Sequence, residues 1–341
     1  MRPDHADVRR TTPVADVDPV DPQFQFLVEV MAGMTIDDDS LADQRAAFEA
    51  LSVSLPPPEI PGLLVEDRRV PGAVGAPEVG VRLYRMEDPD RSAGVGSPTP
   101  GLLLIHGGGM VLGGPNACDL LARHLVSHLR WPVVSVDYRL APEVPYPGPL
   151  DDCAAALEWF VGAAEDLGVD PQRIGVVGES AGGGLAAGLA LRCRDSGGPR
   201  VACSVLIYPM LDDRTVLRPD PRPHVGGDVW TPELNRYAWG AYLRADPGSD
   251  GVSEQAAPAR AVELSGLPPT VVTVGALDLF LDEDVEYARR LALAGVPVEL
   301  HVFPRTPHGF AGLVDVAPLA GEHALVLIEA LRRELGGTSV A

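Results

Sequence analysis

From residue 63 onward, short runs rich in Val, Ile and Leu alternate with longer stretches whose apolar positions recur at helical spacing. The runs 63–70, 79–86, 101–105, 132–137, 173–177, 201–208, 270–275 and 297–303 read as strands. Helical periodicity fills 116–129, 150–167, 181–195, 283–294 and 318–335. The first two strands form a pair, and the Pro/Gly/Ser-rich stretch 87–100 is the turn region into the third. Beyond that point the alternation predicts parallel strands with helices on both faces.

Two segments stand outside this rhythm. Residues 1–22 carry four prolines and many aspartates and read as a flexible lead. Phe24 to Met34 is a short apolar stretch compatible with a helix. Ser40-Leu41-Ala42-Asp43 looks like a capping box, and the helix it opens puts Leu41, Phe48, Leu51 and Leu55 near one face before Pro56-Pro57-Pro58 ends it. This part precedes every strand, so it reads as cap rather than core. Residues 211–255, which hold Pro219, Pro221, Pro223, Trp230, Tyr237, Trp239 and Tyr242, show no strand. An insertion at a strand's C-terminal end lies over the ligand rim of such a sheet, which makes this segment the second part of the lid. The expected division is therefore 1–55 lead and cap, 56–210 core, 211–255 cap insertion and 256–341 core.

Composition narrows the class. A chain of 341 residues is long enough to bury one large α/β core. No apolar run reaches the length that spans a bilayer, and the polar N-terminal stretch lacks the apolar segment of a signal peptide, so cytoplasmic residence is expected. The formal charge is −21 and the sequence has no lysine. Such a surface repels nucleic acid and anionic membranes. Cys118, Cys153, Cys193 and Cys203 are widely spaced, which favours buried thiols over disulfides or a zinc site. No His/Asp/Glu cluster has metal-ligand spacing, so no metal is expected.

Candidate chemistry sits where strands end. Gly178-Glu179-Ser180-Ala181-Gly182 follows an apolar run and precedes a small-residue helix, the setting of a nucleophile elbow with Ser180 as nucleophile. His106-Gly107-Gly108-Gly109 also follows an apolar run, and offers the N–H groups of Gly107 and Gly108, with that of Ala181, as an oxyanion hole. His106 itself reads as a loop-holding residue. His308, in a loop kept free of helix by Pro304, Pro307 and Gly309, is the base candidate; the seven other histidines lie elsewhere. Four carboxylates crowd one loop. Asp278 is the favoured acid and Asp282 the second choice, while Glu283 and Asp284 look like the first turn of a helix. The order Ser180, Asp278, His308 is that of α/β-hydrolases, and the whole set points to ester hydrolysis.

With these residues assembled, the chain resembles the bacterial hormone-sensitive-lipase-like esterases over about residues 60–336. The resemblance rests on the two glycine strings, Asp137-Tyr138-Arg139-Leu140-Ala141-Pro142-Glu143, the 146–152 stretch that opens the next helix, Asp278-Leu279-Phe280-Leu281-Asp282-Glu283 and His308-Gly309-Phe310. It implies an α/β-hydrolase fold with a mostly parallel eight-stranded sheet, helices on both faces and a two-part helical cap. It also implies carboxylesterase activity on short to medium acyl chains with no cofactor, and it puts the acid on Asp278. Three departures bear on substrate preference: Met110 stands where an aromatic is common, Glu179 where aspartate is commonest, and Leu279-Phe280 where proline and leucine are usual.

The expected reaction is a two-step acyl transfer, with His308 as base and Asp278 steadying the imidazolium. Phe24, Phe26, Met34, Trp230 and Trp239 are candidate pocket walls beside Met110 and Glu179, with packing inside the lid as the competing reading. The expected partner is a small-molecule ester; a homodimer is left open. The alternatives are a non-catalytic small-molecule receptor on the same fold, or an amidase or acyltransferase using the same three residues.

Overall fold

The computed structural model describes residues 19–54, 57–87, 97–218 and 225–336. Most of the expected lead, much of the 87–100 turn region, Leu55, Pro56 and the three prolines of 219–223 lie outside the described residues. The strands are β1 (Leu63–Val70), β2 (Val79–Met86), β3 (Thr99–Ile105), β4 (Val133–Asp137), β5 (Val169–Glu179), β6 (Cys203–Ile207), β7 (Thr270–Gly275) and β8 (Val298–Phe303). The helices are α1 (Gln25–Met31), α2 (Leu41–Ser52), α3 (Asp119–Leu129), α4 (Gly148–Gly162), α5 (Ala164–Leu167), α6 (Ala181–Ser196), α7 (Pro232–Leu243), α8 (Leu281–Leu293) and α9 (Pro318–Leu335).

All eight strands join one sheet in the order β1-β2-β4-β3-β5-β6-β7-β8. β2 pairs antiparallel with both β1 and β4, and every other pairing is parallel. This is the mostly parallel sheet that the strand–helix alternation predicts. Its inner strands are apolar on both faces because helices cover both. Leu102 and Leu104 of β3 belong to a core with Leu121 and Leu125 of α3 and Leu327 and Leu331 of α9. Leu103 and Ile105 belong to the opposite core, with Leu150 and Leu157 of α4 and Leu185 and Leu189 of α6. The period of two along one strand thus feeds two layers.

Local differences from the sequence reading have local causes. Ser40 makes no side-chain bond into α2, so the expected capping box does not form. Its backbone is already helical (φ −94°, ψ −14°), a geometry that turns the hydroxyl away from the free N–H groups. Instead Asp37 and Ser40 close on each other: Ser40 N donates to Asp37 Oδ1 at 2.8 Å, and Asp37 N donates to Ser40 Oγ at 3.0 Å. The helix expected over 150–167 is interrupted at Ala163, giving α4 and α5. β5 starts earlier than expected, because Val169 pairs with Thr99 before a register shift. Among the described residues the four cysteines are free, three of them buried, and no helix is long and apolar enough to cross a membrane.

Candidate active site

β3 and β5 are parallel neighbours with Ile105 opposite Gly178, so the two glycine strings leave the sheet side by side. At the end of β5 the chain turns into α6 through Ser180, whose backbone stands at φ 52°, ψ −117°. The turn is tight enough to forbid side chains around it. A Cβ on Gly178 would lie 2.1 Å from the Gly182 carbonyl oxygen, and one on Gly182 would lie 2.1 Å from that of Ile105. The turn is also pinned by backbone bonds, Ser180 N donating to Ile207 O at 2.8 Å and Met210 N to Ser180 O at 2.9 Å. Strand ends, not the serine's own side chain, therefore fix where Oγ points.

The loops after β7 and β8 bring in the other two groups. β7 and β8 run parallel with Gly275 opposite Phe303, and Leu277 N donates to Thr306 O across the two loops. His308 Nε2 lies 2.9 Å from Ser180 Oγ, and His308 Nδ1 lies 2.8 Å from Asp278 Oδ2. Asp278 Oδ1 accepts from Phe280 N at 2.9 Å, which holds the carboxylate edge toward the ring. Asp278 is fully buried and His308 nearly so. Two of the neighbouring carboxylates are occupied elsewhere. Asp282 faces Arg218 at 3.5 Å, and Glu283 accepts from Leu211 N, Asp212 N and Thr215 Oγ1. Of the four acids in this loop, Asp278 is the one beside the imidazole.

The other glycine string lies against the serine. A Cβ on Gly107 would lie 3.2 Å from Glu179 O and 3.3 Å from Ser180 Cβ, so a side chain there would crowd the serine turn. Gly108 has φ +110°, and a Cβ there would meet Leu112 O at 2.3 Å. Among the described residues, the N–H groups of Gly107, Gly108 and Ala181 find no acceptor within the protein. His106 stacks on Tyr138 with ring centroids 4.1 Å apart, and its Nδ1 bonds Gly107 O at 2.7 Å. Complete burial pushes its imidazole down to about 4, so the ring is neutral and holds the loop.

Ser180 and His308 open into a cavity of about 200 Å³ lined largely by apolar side chains. Of the expected walls, Phe26, Glu179 and Trp230 line it. Phe24, Met34, Met110 and Trp239 do not, for different reasons. Phe24 precedes α1 and packs edge-on against Phe310, away from the cavity lining. Met34 packs, partly buried, against the core. Met110 stands at φ 61° in a turn that sends its side chain into the core toward α6. Trp239 is on the buried side of α7 against Tyr242. The walls instead include Leu27 and Met31, one helical turn apart on α1, and Tyr208, just past β6. The spacing of Leu27 and Met31 puts that pair on one face of α1. Nothing in the sequence marks Tyr208 beyond its place at a strand end. Phe48 and Leu51 of α2 line the same cavity as Val229 and Trp230, and Tyr237 Oη donates to Asp38 Oδ1 at 3.0 Å. The segment before the sheet and the long insertion therefore meet over the serine.

Many known proteins are similar to this chain. A family model described as alpha/beta hydrolase fold matches residues 102–312. The chain belongs to this family, in its hormone-sensitive-lipase-like branch. It is 36% identical over 332 residues to Carboxylesterase NlhH of Mycobacterium tuberculosis, covering 95% of this chain and 99% of the relative. It is 34% identical over 258 residues to an ethyl acetate hydrolase of Pseudomonas putida, covering 75% and 78%. Among solved structures it superposes on a bacterial heroin esterase with a TM-score of 0.84, at 38% identity, covering 93% of this chain and 98% of the other.

Proposed function

We propose that this carboxylic ester hydrolase works as a serine esterase on small esters with short- to medium-length acyl chains. Ser180 Oγ attacks the ester carbonyl while His308 Nε2 takes its proton, and Asp278 stabilises the imidazolium that forms. The carbonyl oxygen gathers charge facing the N–H groups of Gly107, Gly108 and Ala181; each such donor is worth roughly 3 kcal/mol in the transition state. His308 then protonates the departing alcohol. Water repeats the sequence on the acyl-enzyme, releasing the acid. No cofactor enters any step. Residues 1–55 supply a lead and the first cap helices, 211–255 supply the cap insertion, and 56–210 with 256–341 form the core.

The observation that carries this reading is the continuous Ser180–His308–Asp278 hydrogen-bond chain, 2.9 Å and 2.8 Å long, at the end of an apolar cavity. A series of p-nitrophenyl esters of increasing acyl length tests it. Turnover is expected to be greatest at short or medium chains, because the enclosed space is small, and to vanish in Ser180→Ala. Equal rates for long and short chains would refute the chain-length reading. Turnover surviving in Ser180→Ala would refute the serine mechanism.

A further inference from the structure

Glu179 is the residue before the nucleophile, and its carboxyl lies in the cavity wall. It is the only carboxyl among the described residues that line the cavity, and neither arginine nor lysine lines it. Tyr208 Oη donates to Glu179 Oε1 at 3.3 Å, and the second oxygen is left to the cavity. Aromatic rings line the same space, with Trp230 and Tyr208 both beside the His308 ring at centroid distances of 6.2 Å and 4.8 Å. A carboxyl with one hydrogen bond and no cation beside it is costly to bury inside apolar walls, and burial pushes this one up to about 7. The mechanism above makes no use of it.

We propose that Glu179 selects esters that carry a cationic amine, which the cavity seats between the open carboxylate oxygen and its aromatic walls. A bound cation replaces the missing partner and lets the carboxyl ionise. Aromatic faces attract the same charge. An anionic substrate meets no compensating cation and is repelled. The chain's net charge of −21 acts in the same sense on approach, although salt screens that part. This inference rests on the serine-esterase reading, but fails separately from it.

The test compares esters of equal shape and different charge. One pair is choline acetate and 3,3-dimethylbutyl acetate, with the charge on the alcohol. The other places the trimethylammonium or tert-butyl group at the end of the acyl chain of a p-nitrophenyl ester. In the native protein, kcat/KM is expected to favour the cationic member of at least one pair by about tenfold. Glu179→Gln is expected to bring that ratio toward one whatever happens to absolute rates, while Glu179→Asp, which keeps the charge, retains part of it. If Glu179→Gln does not fold, the native ratio and the aspartate variant still decide. Ratios near one in both pairs, or a ratio that Glu179→Gln leaves unmoved, overturn the proposal. Serine-dependent turnover of the neutral esters in that case keeps the esterase reading intact; no turnover of either member removes that reading too.

Discussion

At Ser180 the backbone is held at φ 52°, ψ −117°, a conformation that costs a non-glycine residue roughly 1–3 kcal/mol. The surrounding glycines and the bonds to Ile207 and Met210 impose it, and the result is a hydroxyl lifted clear of the sheet. Gly108 offers a sharper test of the oxyanion hole than Ser180 does. A methyl at this position must push on Leu112 O at 2.3 Å and must also accept φ +110°. Gly108→Ala is expected to lower kcat on a p-nitrophenyl ester by about a hundredfold or more. Its effect on KM is expected to be small, since the lost donor acts mainly on the developing oxyanion. Steady-state kinetics decides: a change confined to KM would place Gly108 in ground-state binding instead. His308→Gln, which keeps size but cannot accept and relay the proton, is expected to cost about a millionfold in kcat.

Among the elements, α2 does more than roof the cavity. Its Arg45 donates from Nε to Val111 O at 2.8 Å and from Nη2 to Ala141 O at 2.8 Å, and both Nη atoms reach the Glu143 carboxylate. Val111 N and Leu112 N in turn donate to Gly108 O, so a helix outside the sheet braces the loop that carries the proposed oxyanion donors. Arg45→Ala is expected to speed proteolytic cleavage within 41–52 and to lower kcat/KM by about threefold or more, since bonds to a charged donor are worth roughly 1.5–3 kcal/mol. Limited proteolysis beside ester kinetics measures both. Unaltered cleavage would mean that apolar packing alone holds α2. The elements themselves are largely legible in the sequence. Period-two apolar runs mark the strands, and β1, β2 and β7 keep the bounds that the pattern gives them. The groups that carry chemistry stand at strand ends, where turn geometry demands glycine and proline, and those residues punctuate the sequence visibly. The cavity walls are less legible. Phe24 and Phe26 look alike in a string of letters, yet one drives into Phe310 and the other faces the opening, because the choice depends on how α1 docks. Arg45 leaves no mark either, as its acceptors, two backbone carbonyls and the Glu143 carboxylate, lie 66 to 98 residues away in loops that no pattern brings near it.

The whole molecule carries buried ionisable groups whose protons couple stability to pH. Burial raises Glu179 to about 7 and Glu283 to about 8 from an ordinary value of 4.5, and raises Asp284, whose two oxygens have no partner, well above its ordinary value. With these groups the folded chain binds more protons than the unfolded one, so stability falls as pH rises from about 4.5 toward about 8. His106 and His323 act in the opposite sense. Burial lowers them to about 4 and about 3 from 6.5, so their contribution is lost as pH falls below 6.5. Tm is therefore expected to decline on both sides of a mildly acidic maximum. Asp284→Asn, which removes a charge that the fold cannot host, is expected to raise Tm at pH 8 by about 2 °C or more and to flatten the alkaline limb. Calorimetry from pH 4 to 9 checks this, and an unshifted alkaline limb would show that Asp284 ionises in the folded protein as readily as in the unfolded chain. The central claim is narrower: one hydroxyl, activated by one imidazole, performs the attack. Its most direct measurement is covalent capture with diethyl p-nitrophenyl phosphate, followed by peptide mass mapping. The expected result is one phosphoryl adduct per chain, on Ser180, formed in step with loss of esterase activity, and none in Ser180→Ala. Loss of activity with the adduct on another residue, or full activity with Ser180 modified, would contradict the account.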